Sequence, residues 1–266
     1  MNTPFRPALF LAAALTANAS WADGPAAPEP ENTLAWNIGA VSDYRVRGIA
    51  QTSFKPALQG GVDFTHKSGF YVGSFASNVR WLKDLNGATK GNVEVDVYGG
   101  LRGSPADGWS YDVGVIRYEY VGNNSGEAGT PGAGLFTNAS TTEAYVNVGF
   151  KMFNLKYNRS FGDFLGNPSS SGSQYFDLNA TFAVADGLNL TPHIGRQTIP
   201  NQGATGNAGD YTDWSLSLAK DFGNGLVATV TVGGTNAAKG AGTFYRDMKG
   251  HDLGKTYGLV GVKYSF

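Results

Sequence analysis

The chain has 266 residues and carries little charge: 20 lysine and arginine residues stand against 21 aspartate and glutamate, 15% in all, while glycine occurs 38 times. A formal net charge of −1 with both signs dispersed offers no polybasic face to nucleic acid, and the lack of cysteine excludes thiolate metal sites, a cysteine nucleophile and a disulfide framework. Mean hydropathy is −0.22, and no apolar run approaches the roughly 18 residues that cross a bilayer as a helix.

In chain order, residues 1–22 read as an export leader. Arg6 lies in its charged start, an apolar stretch covers residues 8–15, and Ser20-Trp21-Ala22 forms a small-x-small site with cleavage expected after Ala22. Residues 23–33 contain Pro25, Pro28 and Pro30 with almost nothing to bury, and are expected to be a disordered or extended lead-in.

From residue 34 onward hydrophobicity repeats with period two, which in a strand sends successive side chains to opposite faces. The first run sets Leu34, Trp36, Ile38 and Ala40 against Asn37, Asp43, Arg45 and Arg47, and the second sets Leu58, Val62 and Phe64 against Gln59, Asp63 and Thr65. The third sets Tyr71, Phe75, Val79 and Trp81 against Ser74, Asn78 and Arg80, and the fourth sets Val93, Val95, Val97 and Leu101 against Glu94, Asp96 and Arg102. In the fifth, Trp109, Tyr111, Val113 and Val115 oppose Ser110 and Asp112, and a change of parity at Ile116, Tyr118 and Tyr120 suggests a bulge. The sixth places Glu143, Tyr145 and Asn147 on its polar face. Six more runs follow, with polar faces that include Lys156, Asp177, His193, Asp213, Thr229 and Lys263.

The connections alternate in length. Short ones fall at 66–69, 103–108, 151–152, 185–187 and 223–225, and mostly long ones at 50–55, 82–91, 122–140, 162–173, 199–210 and 237–255. Five turns and six loops are what twelve antiparallel strands need when both termini lie on one side. Short periplasmic turns, longer external loops and strands of ~10 residues with an apolar exterior describe an outer-membrane barrel. The expected fold is therefore all-β: a twelve-stranded antiparallel transmembrane β-barrel over residues 34–266. A soluble sandwich gives the same alternation. The leader, the opposed loop lengths, and aromatic residues near strand ends (Trp36, Tyr44, Phe70, Tyr71, Trp81, Trp109, Phe161 and Trp214) favour lipid, where such rings form interfacial girdles.

The segments SDYRVRGIAQT at 42–52, KPALQGGVDF at 55–64, SGFYVGSFASNV at 68–79 and YTDWSLSLAKDFG at 211–223 resemble the proteobacterial TorF porin family, also catalogued as conserved proteins of unknown function. The resemblance covers roughly residues 34–266, is most specific near the start of that range and weakens in the loops, especially 122–140 and 237–255. It implies an outer-membrane barrel with a porin role. The closing Val260, Val262, Tyr264 and Phe266, at alternate positions, resemble the carboxyl-terminal signal that outer-membrane proteins present to the barrel-assembly machinery.

Catalytic chemistry finds little support. His66, His193 and His251 read as solvated or lumen-polar groups, and no G-x-S-x-G occurs. Residues 223–228 match G-x-G-x-x-A but precede an alternating strand rather than a helix, so the helix N-terminus that would hold a pyrophosphate is missing. Glu94 and Asp96 belong to a polar strand face. No catalytic, cofactor or metal residue is expected.

If the apolar faces meet lipid, the opposite parity lines the interior. Its charged inventory is Asp43, Arg45, Arg47, Asp63, Arg80, Glu94, Asp96, Arg102, Asp112, Glu143, Lys156, Asp177, Asp213 and Lys263. So many charges demand water or dense ion pairing, since an isolated buried ion costs several kcal/mol. Strand direction places Asp43, Arg45, Arg47, Arg80, Glu94 and Asp96 together in the outer part of one wall, where a mixed-charge patch would set a transverse field at a constriction. The same pairs could instead brace or plug a narrow barrel, and a loop could fold inward, with 122–140 and 237–255 the candidates by length. The resulting expectation is a passive channel for small hydrophilic solutes in a bacterial outer membrane. Its partners are outer-membrane lipid, the assembly machinery and the solutes, with no nucleic acid. The alternatives are a barrel enzyme acting on lipid and a non-conducting adhesion or structural barrel.

Overall fold

Segments that bury one face with period two can satisfy their backbone groups in an edge-free ring or in two stacked sheets. The strand pairing of the computed structural model, which describes residues 30–266, shows the ring. The export leader and most of the proline-rich lead-in lie outside the described residues. The elements are β1 (Asn32–Val41), β2 (Arg45–Val46), β3 (Ile49–Ala50), β4 (Ala57–His66), β5 (Phe70–Asn78), α1 (Trp81–Asp84), β6 (Val93–Gly103) and β7 (Trp109–Tyr120). They continue with β8 (Thr141–Phe150), β9 (Phe153–Phe161), a short 3-10 turn (Phe164–Gly166), β10 (Gln174–Ala180), β11 (Phe182–Ala185), β12 (Leu188–Thr198), β13 (Tyr211–Asp221), β14 (Leu226–Thr235) and β15 (Tyr257–Ser265).

Sequential neighbours pair antiparallel around the ring, and β1 closes it. On one flank β1 runs against β4 from Asn32↔His66 to Val41↔Ala57, and on the other against β15 from Asn37↔Ser265 to Val41↔Gly261. The sheet has thirteen strands but the ring has twelve positions, because β10 and β11 share one, interrupted at Thr181. There the Thr181 N–H donates to the Met152 carbonyl at 2.9 Å. β2 and β3 take no part in the pairing of the ring and form a hairpin of their own.

The polarity is inverted relative to a soluble domain. Trp36, Val97, Trp109, Val146, Phe176, Trp214, Val230 and Val260 are exposed on the outer surface, whereas Glu94, Asp96, Asp112, Glu143 and Asp213 are buried. A spanning sheet in hydrocarbon requires this arrangement, together with an absence of unpaired edges.

Several sequence expectations need correction. β1 ends at Val41, so Asp43, Arg45 and Arg47 belong to the first long loop rather than to its inner face. β5 has the opposite parity: Phe70 and Val72 face outward while Tyr71 and Phe75 point inside. The Tyr71 hydroxyl, donating to Asp112 at 2.6 Å, gives that ring a polar partner which hydrophobicity alone does not register. β5 ends at Asn78, which removes Val79, Arg80 and Trp81 from the wall. β7 pairs with β6 without a register shift, from Glu94↔Tyr120 to Gly103↔Tyr111. No bulge interrupts it there; Ile116 and Tyr120 are buried on the same face as Ser110 and Asp112. Of the rings assigned to girdles, Trp36, Phe70, Trp109, Phe161 and Trp214 are exposed, but Tyr44, Tyr71 and Trp81 are buried.

Candidate functional site: a lumen divided by an inward hairpin

The first long loop, residues 42–56, turns back into the barrel. Its start is fixed to β15, where the Ser42 N–H donates to the Val260 carbonyl at 2.9 Å and the Val260 N–H to Ser42 Oγ at 3.0 Å. β2 and β3 then pair through Arg45↔Ala50 and Val46↔Ile49. The turn between them is Arg47-Gly48, with φ of 50° and 78°. Two consecutive residues in the left-handed region suit a tight hairpin, whose twist matches that of the strands. Gly48 also has no room for a side chain: a β carbon there would lie 2.7 Å from Thr235 Cγ2 and 2.9 Å from Asp213 Cβ.

The tip reaches across the lumen. Arg47 Nη2 donates to Glu143 Oε2 at 2.6 Å and Nη1 to Gln197 Oε1 at 2.8 Å, and the guanidinium lies 4.4 Å from the Tyr175 ring centre. Glu143 is on β8, Tyr175 on β10 and Gln197 on β12, four or five positions from β1 in a ring of twelve. The hairpin is therefore anchored on the far wall. At its base Tyr44 donates to Glu94 Oε1 at 2.9 Å, and Arg45 donates from Nε to Asp43 Oδ2 at 2.7 Å and from Nη1 to the carbonyls of Gly48 and Leu253, each at 2.9 Å. Ile49, Ala50, Tyr211, Ala237, Tyr245 and Leu253 form a small apolar cluster that holds the hairpin to the loop at 236–256.

Toward the short-turn side, tyrosines organise the remaining charge. Tyr71 joins Asp112 and the Tyr145 hydroxyl, Tyr98 donates to Asp63 at 2.7 Å, and Lys156 Nζ stands 4.1 Å over the Tyr145 ring. Arg102 donates to Thr65 Oγ1 at 2.8 Å and stacks on Tyr71. His193 sits between two acids, with Nδ1 3.1 Å from Asp177 Oδ1 and Nε2 2.8 Å from Asp213 Oδ2. The hydroxyl joined to this group is the phenol of Tyr175, which donates to Asp213 at 3.0 Å. No cluster of three metal-ligating side chains occurs among the described residues.

The packing leaves space on one side. A cavity of ≈ 340 Å³ runs along β13, β14, β15, β1 and β4, lined by small neutral residues such as Asn37, Gln59, Ser215, Ser217, Thr229 and Thr231, with Asp43, Arg45, Tyr44, Phe75, Tyr257 and Lys263 around them. Of the charged residues read from the sequence, Asp43, Arg45 and Lys263 therefore border this cavity. Glu94, Asp96, Arg102, Asp112, Lys156 and Asp177 sit on inner strand faces but outside its lining, and Arg47 is at the hairpin tip. Arg80 is not in the lumen. It precedes α1 with its side chain about half exposed, 3.6 Å from Asp84, because the backbone leaves the strand before it. The expected convergence on one wall is thus replaced by two opposing walls bridged by a hairpin. Of these tyrosines the sequence pattern puts Tyr145 on a polar face, but it sets Tyr71 on an apolar one and leaves Tyr98 and Tyr175 unplaced. The usable signal is polar parity, as with Tyr145 between Glu143 and Asn147.

Comparison with known proteins places this geometry. A family model described as a bacterial protein of unknown function (Gcw_chp) matches residues 24–266. No curated protein sequence matches the chain. Among solved structures the chain is similar to a KdgM porin, with 9% identity, a TM-score of 0.54, and coverage of 87% of this chain and 99% of that one. A KdgM porin in complex with disordered oligogalacturonate gives 10%, 0.53, 88% and 98%, and a NanC porin structure in a rhombohedral crystal form gives 10%, 0.50, 87% and 99%. At such identities the likeness is one of fold.

Proposed function

We propose that this chain, which belongs to the bacterial Gcw_chp family, is a passive outer-membrane channel for small hydrophilic solutes. The observation that carries the reading is the off-centre cavity, bounded on one side by strand walls rich in serine and threonine and on the other by the anchored hairpin. An apolar exterior would seat the ring in lipid, and a polar interior would replace part of a solute's hydration. Selection would come from the size of the gap beside the hairpin and from the charges that border it. The resemblance of residues 42–79 and 211–223 to the TorF porin family supports the same role, as does the fold shared with KdgM and NanC porins. The alternating carboxyl-terminal segment supports delivery by the barrel-assembly machinery. The inward hairpin makes the constriction a loop device rather than a ring of wall charges alone.

Liposome swelling with a size series of neutral sugars tests this. Purified protein should admit monosaccharides and pass larger sugars progressively more slowly, and planar bilayers should show discrete conductance steps. Sealed liposomes and silent bilayers would overturn the channel and leave the structural barrel. Phospholipid hydrolysis by the same preparation would favour a lipid-active enzyme.

A further inference from the structure

The walls of the cavity do not share the charge of the lumen as a whole. None of the six acids Glu94, Asp96, Asp112, Glu143, Asp177 and Asp213 lines it. Between the cavity and Glu94 stand Tyr44, whose hydroxyl is committed to Glu94, and Phe75, whose ring centre is 6.1 Å from that of Tyr44. These two rings do line the cavity and act as a screen.

The charged lining comprises Asp43, Arg45 and Lys263. Asp43 is paired within the lining: its Oδ2 receives the Arg45 Nε donor at 2.7 Å. Arg45 is not fully spent. Its side chain is 4% exposed, its guanidinium is held 4.2 Å from the Tyr257 ring centre and 5.3 Å from that of Phe54, and Nη2 has no hydrogen-bond partner. A guanidinium fixed in plane with an unused donor suits a carboxylate, which it can meet with directed, charge-assisted hydrogen bonds. Lys263 adds a second cation on β15. The remaining wall presents Ser215 and Ser217 on β13 and Thr229 and Thr231 on β14, with Ser217 and Thr231 hydroxyls 2.8 Å apart.

From this lining we infer that the cavity is a recognition site for a small hydroxylated carboxylate, its acid group taken by Arg45 and Lys263 and its hydroxyls by the Ser/Thr rows. The inference rests on the channel reading and names its solute class. A volume of ≈ 340 Å³ lies at the low end of the roughly 300–1,000 Å³ typical of small-molecule sites, so the ligand is monomer-sized.

Planar-bilayer recordings with a KCl gradient, and with gluconate or glucose added, decide it. The wild-type channel should prefer chloride, and gluconate should block its current at concentrations where the similarly sized but neutral glucose does not. Lys263→Gln should lower the chloride-to-potassium permeability ratio several-fold and weaken the block. Arg45→Lys keeps the charge but loses the planar fork, so it should weaken the block several-fold while leaving the ion preference largely intact. Heat-modifiable gel mobility checks assembly of each variant, and Arg45→Lys decides the case alone if Lys263→Gln fails to assemble. A conducting wild type that prefers potassium, or a gluconate block unmoved by the substitutions, would overturn the carboxylate site while leaving the channel standing. A silent wild type would remove the channel and this inference together.

Discussion

Arg47 is the side chain that ties the inward hairpin to the far wall. A residue with a β carbon in the left-handed region costs roughly 1–2 kcal/mol, and at φ 50° Arg47 bears that cost at the tip of a hairpin. Two directed donors and a stack on Tyr175 offset it. Tyr175 is itself confined, because the ring lies over Gly195 of the adjacent β12, where a β carbon would collide with the phenol oxygen. Arg47→Lys keeps the charge but cannot engage Glu143, Gln197 and the ring together. Gly195→Ala displaces the ring without touching the arginine. Both variants should loosen the hairpin from the far wall and give channels of higher conductance with more frequent current fluctuations. Arg47→Ala should also cost stability, on the order of 3–5 kcal/mol, because Glu143 is left buried beside other acids with its cation removed. Single-channel recordings and chemical denaturation check the series, and unchanged traces for both Arg47→Lys and Gly195→Ala would mean that the hairpin does not set the constriction.

Among the elements, the barrel strands were legible because two-faced burial forces a period of two, and a polar lumen opposite lipid preserves that contrast along the whole chain. The inward hairpin was not legible, for a reason visible at Asp43, Arg45 and Arg47. These alternate in step with Leu34, Trp36 and Ile38, so the loop imitates a continuation of β1, and its strands of two residues each are too short to show a period of their own. Tyr71 and Phe75 reversed β5 because an aromatic ring counts as apolar in a pattern even where it packs inside a wet barrel. The loops also form a connected outer layer that no periodicity announces. Asp84 of α1 accepts from Ser53 at 2.7 Å and pairs with Lys249, and its backbone carbonyl accepts from the Met248 N–H at 2.7 Å. Burial works to raise the Asp84 carboxyl, but the hydrogen bonds from Lys249 and Ser53 and the charges of Lys249 and Arg80 outweigh it and hold the group below its ordinary value of 3.8. A carboxyl depressed in the folded state contributes stability that is complete above the ordinary value and disappears as pH falls through the lower, folded one. Hydrogen exchange at the 79–92 and 236–256 backbone should therefore speed up as pH drops below about 4 after correction for intrinsic rates. In Asp84→Asn the exchange should already be fast at neutral pH and lack that acid step. An identical acid step in the variant would assign the effect to another group.

At the scale of the molecule, the decisive property is which surface meets hydrocarbon, since channel, hairpin and cavity all presuppose a wet interior. Val146, in the middle of β8, is 47% exposed on the outside, whereas Ser217, in the middle of β13, faces the cavity. An arginine at the bilayer midplane on the lipid face of a barrel costs about 2–4 kcal/mol, and the same residue in a wet lumen keeps its hydration and forgoes that penalty. Val146→Arg should therefore lower the stability of the protein refolded into phospholipid bilayers by that amount in equilibrium denaturation. Ser217→Arg should change it little and instead reduce conductance by narrowing the passage and adding a cation beside Arg45 and Lys263. A soluble sandwich would reverse the order, because there the exposed position tolerates a charge and the enclosed one does not. The pair of variants reads the inside from the outside without reference to any solute, and a large penalty at Ser217 with none at Val146 would place the lipid on the wrong surface and dismantle the channel built on it.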